Sequence, residues 1–135
     1  MRNPAVRFRI DFGRHEAVGP GKIALLEHIG SSGSLSQAAR ELRMSYRRAW
    51  QLLDSLNGGF AKPVAATVRG GRAGGGATLT PFGRALIRVY REFDAEVQAR
   101  AARRFRAIVS QARSGARTRG KPAAVVRLTR TLSRT

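Results

Sequence analysis

Hydrophobic and polar residues alternate one by one near the start of the chain. Arg7, Arg9 and Asp11 separate apolar side chains at every second position, which are Val6, Phe8, Ile10 and Phe12. A period of two is typical of a strand that buries one face. The pattern therefore predicts a first strand over 6–12.

The apolar residues then change to helical spacing. After a Gly-Pro-Gly break at 19–21, apolar residues between Ile23 and Ile29 recur every three or four positions until Gly30 and Gly33. This spacing predicts a first helix of about three turns.

Two capped helices follow within a few residues of each other. Ser34 with Gln37 three positions later matches a capping box, in which serine bonds a backbone amide and glutamine reaches back to the serine amide. Ser45 opens the next helix, and Asn57-Gly58-Gly59 ends it. Helical spacing places inward Leu35, Ala38, Ala39 and Leu42 in the first helix and Tyr46, Ala49, Trp50, Leu53 and Leu56 in the second. The pair is either a DNA-binding helix-turn-helix or an ordinary helical hairpin, and spacing alone does not separate the two.

A hairpin and a long helix complete the pattern. Segments 64–69 and 77–80 are rich in β-forming residues and flank a glycine-rich loop, which predicts two paired strands. Thr80-Pro81 then supplies an N-cap followed by proline at the first helical position. The apolar stripe of the helix that follows is Phe82, Leu86, Val89, Phe93, Val97, Ala101, Phe105 and Ile108. So small a body cannot bury this whole stripe, so either the outer half meets a second copy of the chain or the helix is solvated and frays after Glu96.

Charge narrows the choice of partners. The 135 residues include 26 Lys and Arg against 8 Asp and Glu, a formal net charge of +18, which favours polyanions. Acidic residues stop at Glu96, so we expect one domain over 1–113 and a basic, mostly disordered tail over 114–135. The chain has no cysteine and no apolar run of the length of a signal peptide or membrane span, so we expect a cytoplasmic, nucleoid-associated protein.

The residue types present argue against an enzyme. The nearest match to a phosphate-binding loop, Gly71 to Gly76, is followed by alanine where that loop requires lysine, and a strand rather than a helix comes next. His15 and His28 have no second ligand at metal-binding spacing, so we predict no metal and no cofactor. A single RGGR at 69–72 is too little for an arginine-glycine RNA-binding array.

Binding of double-stranded DNA would account for more of these sequence features than an enzymatic or RNA-binding role. The N-terminal end of the second capped helix would offer Arg47 and Arg48 to guanine and Gln51 to adenine, although phosphate contact or a solvated face explains the arginines equally well. The hairpin then becomes a wing whose glycines let backbone amides approach phosphates, the alternative being a loop that contacts nothing. The candidate residues are Ser45, Tyr46, Arg47, Arg48 and Gln51 in the recognition helix, Ser34, Ser36 and Gln37 in the supporting helix, and Arg69, Gly70, Gly71, Arg72, Gly74, Gly75, Gly76 and Thr78 in the wing.

Three motifs, SGSLSQAAR, SYRRAW and GGRAGGGATLTPFG, lie within 21–93. Together they resemble the N-terminal DNA-binding domain of the ModE-type, molybdate-responsive transcription regulators, which is related to LysR-type winged helices. The resemblance implies a supporting helix over 36–42, a recognition helix over 45–56 and a wing over 64–80. It also implies dimer contacts through the first strand and the long helix, for which the candidates are Phe82, Leu86, Val89, Phe93 and Val97.

The full-length members of that family continue into molybdate-binding domains, and no molybdate site can be carried over onto this chain. The resemblance therefore implies either a regulator without its own sensor or one informed by another protein. We expect a mainly α fold with a small β-hairpin, a winged helix-turn-helix with a long C-terminal dimerisation helix. Its expected function is that of a homodimeric transcription regulator of a pseudo-palindromic site. The alternatives are a non-specific nucleoid- or RNA-coating protein and a protein-interaction module acting through the long helix.

Overall fold

The computed structural model describes residues 3–14, 16–68 and 76–112. The elements in chain order are β1 (Ile10–Asp11), β2 (Ala17–Val18), α1 (Pro20–Ser32), α2 (Leu35–Glu41), α3 (Tyr46–Gly59), β3 (Ala65–Val68), β4 (Gly76–Leu79), α4 (Pro81–Arg104) and α5 (Arg106–Val109). Strand β1 pairs with β2 and β3 with β4, each pair antiparallel. The predicted winged helix-turn-helix class is confirmed, and the pairing of β1 with β2 adds a second small hairpin.

Helix α1 lies at the centre of the core. Proline at its first position has no amide to leave unpaired. Its buried residues are Ile23, Leu25, Leu26 and Ile29, as the spacing predicted. The helix ends at Gly33, whose φ of 68° is a left-handed conformation that glycine adopts without strain. The Gly33 amide donates to the Ile29 carbonyl at 2.8 Å and closes the last turn.

Helix α2 begins with half of the predicted capping box. The Ser34 hydroxyl accepts a hydrogen bond from the Gln37 amide at 3.1 Å. The reciprocal half is wrong: the Gln37 side chain donates to Glu41 at 3.2 Å and accepts from Arg40 at 2.8 Å. The Ser34 amide donates instead to the Ser32 hydroxyl, at 3.3 Å. Charged partners one turn ahead on α2 therefore compete successfully for the glutamine.

Helix α3 follows after a tight turn in which Arg43 has a φ of 56°. The Ser45 hydroxyl caps α3 by accepting from the Arg48 amide at 3.0 Å, as predicted. The face that α3 buries is formed by Ala49, Leu53 and Leu56.

The inward placement of Tyr46 and Trp50 is wrong, since each side chain is 49% exposed. Both lie on the margin of the apolar stripe, and no element among the described residues covers that edge of the helix. Spacing alone could not decide on which side of the margin they would fall.

Strands β3 and β4 form the predicted hairpin, with Ala65 opposite Leu79 and Val68 opposite Gly76. Asn57, near the end of α3, accepts from the Val64 amide at 2.8 Å and donates to the Ala65 carbonyl at 3.2 Å. These bonds attach the hairpin to α3, because one amide side chain satisfies a backbone donor and a backbone acceptor together.

Helix α4 begins as predicted: Thr80 caps it by accepting from the Gly83 amide at 3.0 Å, and proline occupies the first position. The helix ends at Arg104 and α5 restarts at Arg106, so the predicted continuous helix is interrupted at Phe105. Arginines follow one another at three- and four-residue spacing here with no acidic residue beyond Glu96, and their repulsion disfavours a regular helix. Within the described residues, no helix is long and apolar enough to span a bilayer.

The N-terminal segment is less of a strand than predicted. Only Ile10–Asp11 pairs in a sheet. Ahead of it, Val6 exchanges two backbone hydrogen bonds with the Gln98 side chain, at 2.9 and 2.8 Å, and Phe8 stacks on Tyr90 with ring centroids 5.1 Å apart. The expected alternation survives up to Ile10 because this segment lies along α4, whereas Phe12 is 53% exposed.

Candidate nucleic-acid interface

The N-terminal half of α3 is an exposed cationic surface. All five residues predicted for it are exposed, namely Ser45, Tyr46, Arg47, Arg48 and Gln51. Between Glu41 and Asp54 the chain has three arginines and no acidic residue. Among the described residues Arg47 and Arg48 form no salt bridge. Their charges add to the partial positive charge of the helix N-terminus, so this surface is suited to an anion.

Helix α2 holds α3 in place from behind. Leu35, Ala38 and Ala39 are buried between the two helices and α1, and the small alanines let the backbones approach closely. The three residues predicted for the supporting helix, Ser34, Ser36 and Gln37, are half-buried. Ser34 and Gln37 form the cap of α2, so their observed contacts are structural.

The base of the hairpin lies against the start of the helix-turn-helix. Gly76 forms an isolated bridge with Ser34, and the Ala77 amide donates to the Gly33 carbonyl at 3.0 Å. Thr78 is exposed on β4, opposite Ala66. The other predicted wing residues, Arg69, Gly70, Gly71, Arg72, Gly74 and Gly75, lie outside the described residues.

A buried ion pair that sequence reasoning missed anchors the other end of α3. Glu16 is 5% exposed, and its carboxylate lies 3.1 Å from the Lys22 ammonium. Lys22 also donates to the Ala17 carbonyl at 2.8 Å and to the Ser55 hydroxyl at 3.4 Å. A Cβ on Gly59 would lie 2.2 Å from the Glu16 carboxylate, so a side chain there would displace that carboxylate. Glu16 and Lys22 are six residues apart, but sequence spacing does not show that Ser55 and Gly59 of α3, far along the chain, complete this network.

Two further polar contacts tie α1 to its neighbours. His28 bonds Glu41 of α2, and Arg91 of α4 forms a salt bridge with Glu27. The hydrogen bond from His28, and then that from Gln37, lower the pKa of the Glu41 carboxyl below its usual value. Glu27 and His28, on the side of α1 away from its buried residues, therefore make contacts between helices.

The residues predicted for dimerisation divide into two groups. Phe82 and Leu86 pack against the core of their own chain. Val89 and Phe93 are 58% and 42% exposed, and Val97 is half-buried. An open groove of about 500 Å³, lined in part by Phe93 and Val97, runs along this face of α4.

No protein-family model matches the chain. Over 80 residues it is 46% identical to the molybdenum-pterin-binding protein MopB of Rhodobacter capsulatus, a match that covers 59% of this chain and 30% of that protein. Over 92 residues it is 37% identical to the molybdenum transport protein ModE of Azotobacter vinelandii, a match that covers 68% of this chain and 34% of that protein. In this region the chain belongs to the ModE-type family.

The family resemblance stated from the motifs is thereby confirmed for this ModE-type domain, which spans only 30–34% of the length of these two relatives. Among solved structures, FabT of Streptococcus pneumoniae, crystallised in complex with DNA, matches with a TM-score of 0.48 and 18% identity. That match covers 72% of this chain and 64% of the FabT chain.

Proposed function

We propose that this ModE-type domain belongs to a DNA-binding transcription regulator, which acts as a homodimer and reads a pseudo-palindromic site. The observation that carries the proposal is the exposed, acid-free N-terminal half of α3, with Arg47 and Arg48 unpaired by any described acidic group. The names of the ModE relatives agree with such a role, the Escherichia coli relative being a DNA-binding transcriptional dual regulator.

The side chains that α3 exposes are of types that can recognise bases directly. A guanidinium bonds guanine O6 and N7 together in the major groove, and a glutamine side chain pairs with adenine N6 and N7. Arg47 and Gln51 lie one turn apart on the outward face of α3 and would supply these two contacts. Arg72 in the wing would contact phosphates, which position the protein without reading sequence.

The homodimer is supported by the exposed apolar face of α4. Val89 and Phe93 are large apolar side chains that their own chain leaves more than two-fifths exposed. Dimers of helix-turn-helix proteins present their two recognition helices about 34 Å apart, so we expect half-sites spaced by one turn of DNA or a multiple of it.

A second candidate function is supported by the net charge of +18, which by itself binds nucleic acid without sequence preference. Selection of bound duplexes from a random pool by the full chain at moderate salt separates the two. We expect an enriched palindrome. Unenriched binding with a steep salt dependence would contradict sequence-specific regulation and favour coating.

Three arginine variants test whether Arg47 contacts a base while Arg72 contacts phosphates. Arg47→Ala should cost about 1–3 kcal/mol on the enriched duplex and relax its specificity, since a base contact is lost. Arg72→Ala should weaken all duplexes similarly and lower the salt slope by about one. Arg88→Ala, which removes an exposed arginine of α4 that does not line the groove beside Phe93, is the matched control. Equal effects of the first two changes on specific and random duplexes would refute this assignment.

The dimer is tested by sedimentation of the full chain. Val89→Glu should shift the chain to monomer, because it places a carboxylate in the apolar face. Ala95→Glu adds the same charge to another exposed face of α4 and should leave the dimer intact. A wild-type chain that sediments as a monomer would remove the basis for a palindromic site.

A further inference from the structure

Two large aromatic side chains lie exposed on the surface proposed to read DNA. Tyr46 and Trp50 are each 49% exposed and occur four residues apart, so they are neighbours along one edge of α3. Burying an aromatic side chain removes about 150–250 Å² of its surface from water. Tyr46 and Trp50 each leave about half of their surface exposed. Exposed aromatic pairs of this kind mark contact surfaces.

We propose that this pair is an apolar reading element, in which Trp50, flanked by Tyr46, contacts the C5-methyl group of a thymine in the major groove. The inference rests on the proposed function. Of the four bases, only thymine presents an apolar group in that groove, and apolar side chains recognise it by van der Waals contact.

The charge of the surroundings selects duplex DNA as the occupant. Three arginines, Arg43, Arg47 and Arg48, occur within three residues of Tyr46 in the sequence. The nearest acidic residue of α3 is Asp54, one turn beyond Trp50 and away from the N-terminal end of the helix. Tyrosine, tryptophan and arginine are also enriched where proteins bind proteins, so residue type does not choose the occupant. The formal net charge of +18 chooses it, because it favours a polyanion such as duplex DNA. Arginines that bind phosphates on either side of a groove would bring the aromatic edge against the bases between them.

Arg47 and Trp50 occupy different parts of the α3 surface that is proposed to contact bases. Arg47 lies on the outward face of α3, whereas Trp50 lies at its margin, next to the buried Ala49 and Leu53. The margin restrains the tryptophan, because half of its surface is already packed against the protein. A restrained apolar side chain loses little further freedom on binding, so its contact with a methyl group discriminates well.

The test replaces single thymines by deoxyuridine in the duplex enriched by selection. The change dT→dU removes only the C5-methyl group and leaves pairing intact. For the wild-type full chain we expect at least one thymine per half-site at which dU weakens binding roughly four-fold, as for the loss of one buried methyl group.

Variants then assign that methyl group to its side chain. Trp50→Ala should bind the dT and dU duplexes equally well, whereas Trp50→Phe should retain most of the difference. Phe12→Ala, which removes another aromatic side chain that is 53% exposed, is the control and should keep the full dT/dU difference.

The outcomes separate this inference from the function on which it rests. An enriched duplex whose dU versions all bind like the parent, or a dT/dU difference that persists in Trp50→Ala, overturns the methyl contact alone. If no duplex is enriched, the proposed function fails and this inference fails with it. Thermal melting of each variant checks that an altered dT/dU difference comes from a folded protein.

Discussion

The close approach of α4 to the hairpin makes Gly83→Ala a severe change. Gly83 is the third residue of α4 and is buried. A Cβ at this position would lie 2.0 Å from the Val64 carbonyl oxygen, 2.9 Å from its carbon and 3.2 Å from the Val64 Cα. All three are main-chain atoms, so no side-chain rotation relieves the contact.

Moving the Val64 backbone away has a further cost. The Val64 carbonyl accepts from the Thr80 amide at 3.0 Å, and the Thr80 hydroxyl donates to the Pro63 carbonyl at 2.6 Å. Overpacking costs about 1–3 kcal/mol, and weakening a buried hydrogen bond adds about 1 kcal/mol. The higher helix propensity of alanine offsets about 1 kcal/mol. We therefore expect a loss of about 2 kcal/mol in the free energy of unfolding.

Urea unfolding of the full chain, followed by far-UV circular dichroism, measures this loss. Gly58→Ala is the matched control, because it makes the same change in helix α3 where an added Cβ meets nothing within 4 Å. It should be neutral or stabilise the fold by about 0.5–1 kcal/mol. If Gly83→Ala is as stable as Gly58→Ala, then Gly83 does not pack against the Val64 backbone as closely as the structure indicates.

Three further predictions concern single contacts. Arg43→Gly should raise the free energy of unfolding by about 1 kcal/mol, since it removes a side chain from a left-handed residue, whereas Arg43→Ala should bring no such gain in the same urea titration. Asn57→Ala should cost about 2 kcal/mol and speed hydrogen exchange of the Val64 amide, which loses its acceptor; unchanged exchange would contradict the bond. The pKa of Glu41 is lowered chiefly by the hydrogen bond from His28, so its contribution to stability is complete above the ordinary value of 4.5 and is lost as the pH falls through the lower folded value. Glu41→Gln should therefore flatten the acid side of the stability profile, and an unchanged profile would argue against this pairing.

The elements that sequence reasoning predicted well are those with local causes. The caps at Ser34, Ser45 and Thr80 each depend on a hydroxyl and an amide three residues ahead, so the few residues at the helix start contain the whole interaction. The break at Gly33 is equally local, since glycine adopts its left-handed conformation there without strain.

The elements that sequence reasoning missed depend on residues far apart along the chain. The predicted strand over 6–12 is mostly an extended segment because Gln98, on a distant helix, takes the place of a strand partner for Val6. Glu16 and Lys22 are close in sequence, but the network around their ion pair depends on Ser55 and Gly59 of α3, which lie far along the chain.

The candidate site shows the same division. The chain by itself determined that α3 begins at a serine cap, that two arginines and a glutamine follow, and that Ala49, Leu53 and Leu56 face the core, because a period of 3.6 residues orders these positions. It did not determine the surroundings of Tyr46 and Trp50, whose predicted inward placement is wrong because both lie at the margin of that stripe. Only the tertiary structure decided that both are half exposed, since burial at a margin depends on whether another element packs over it.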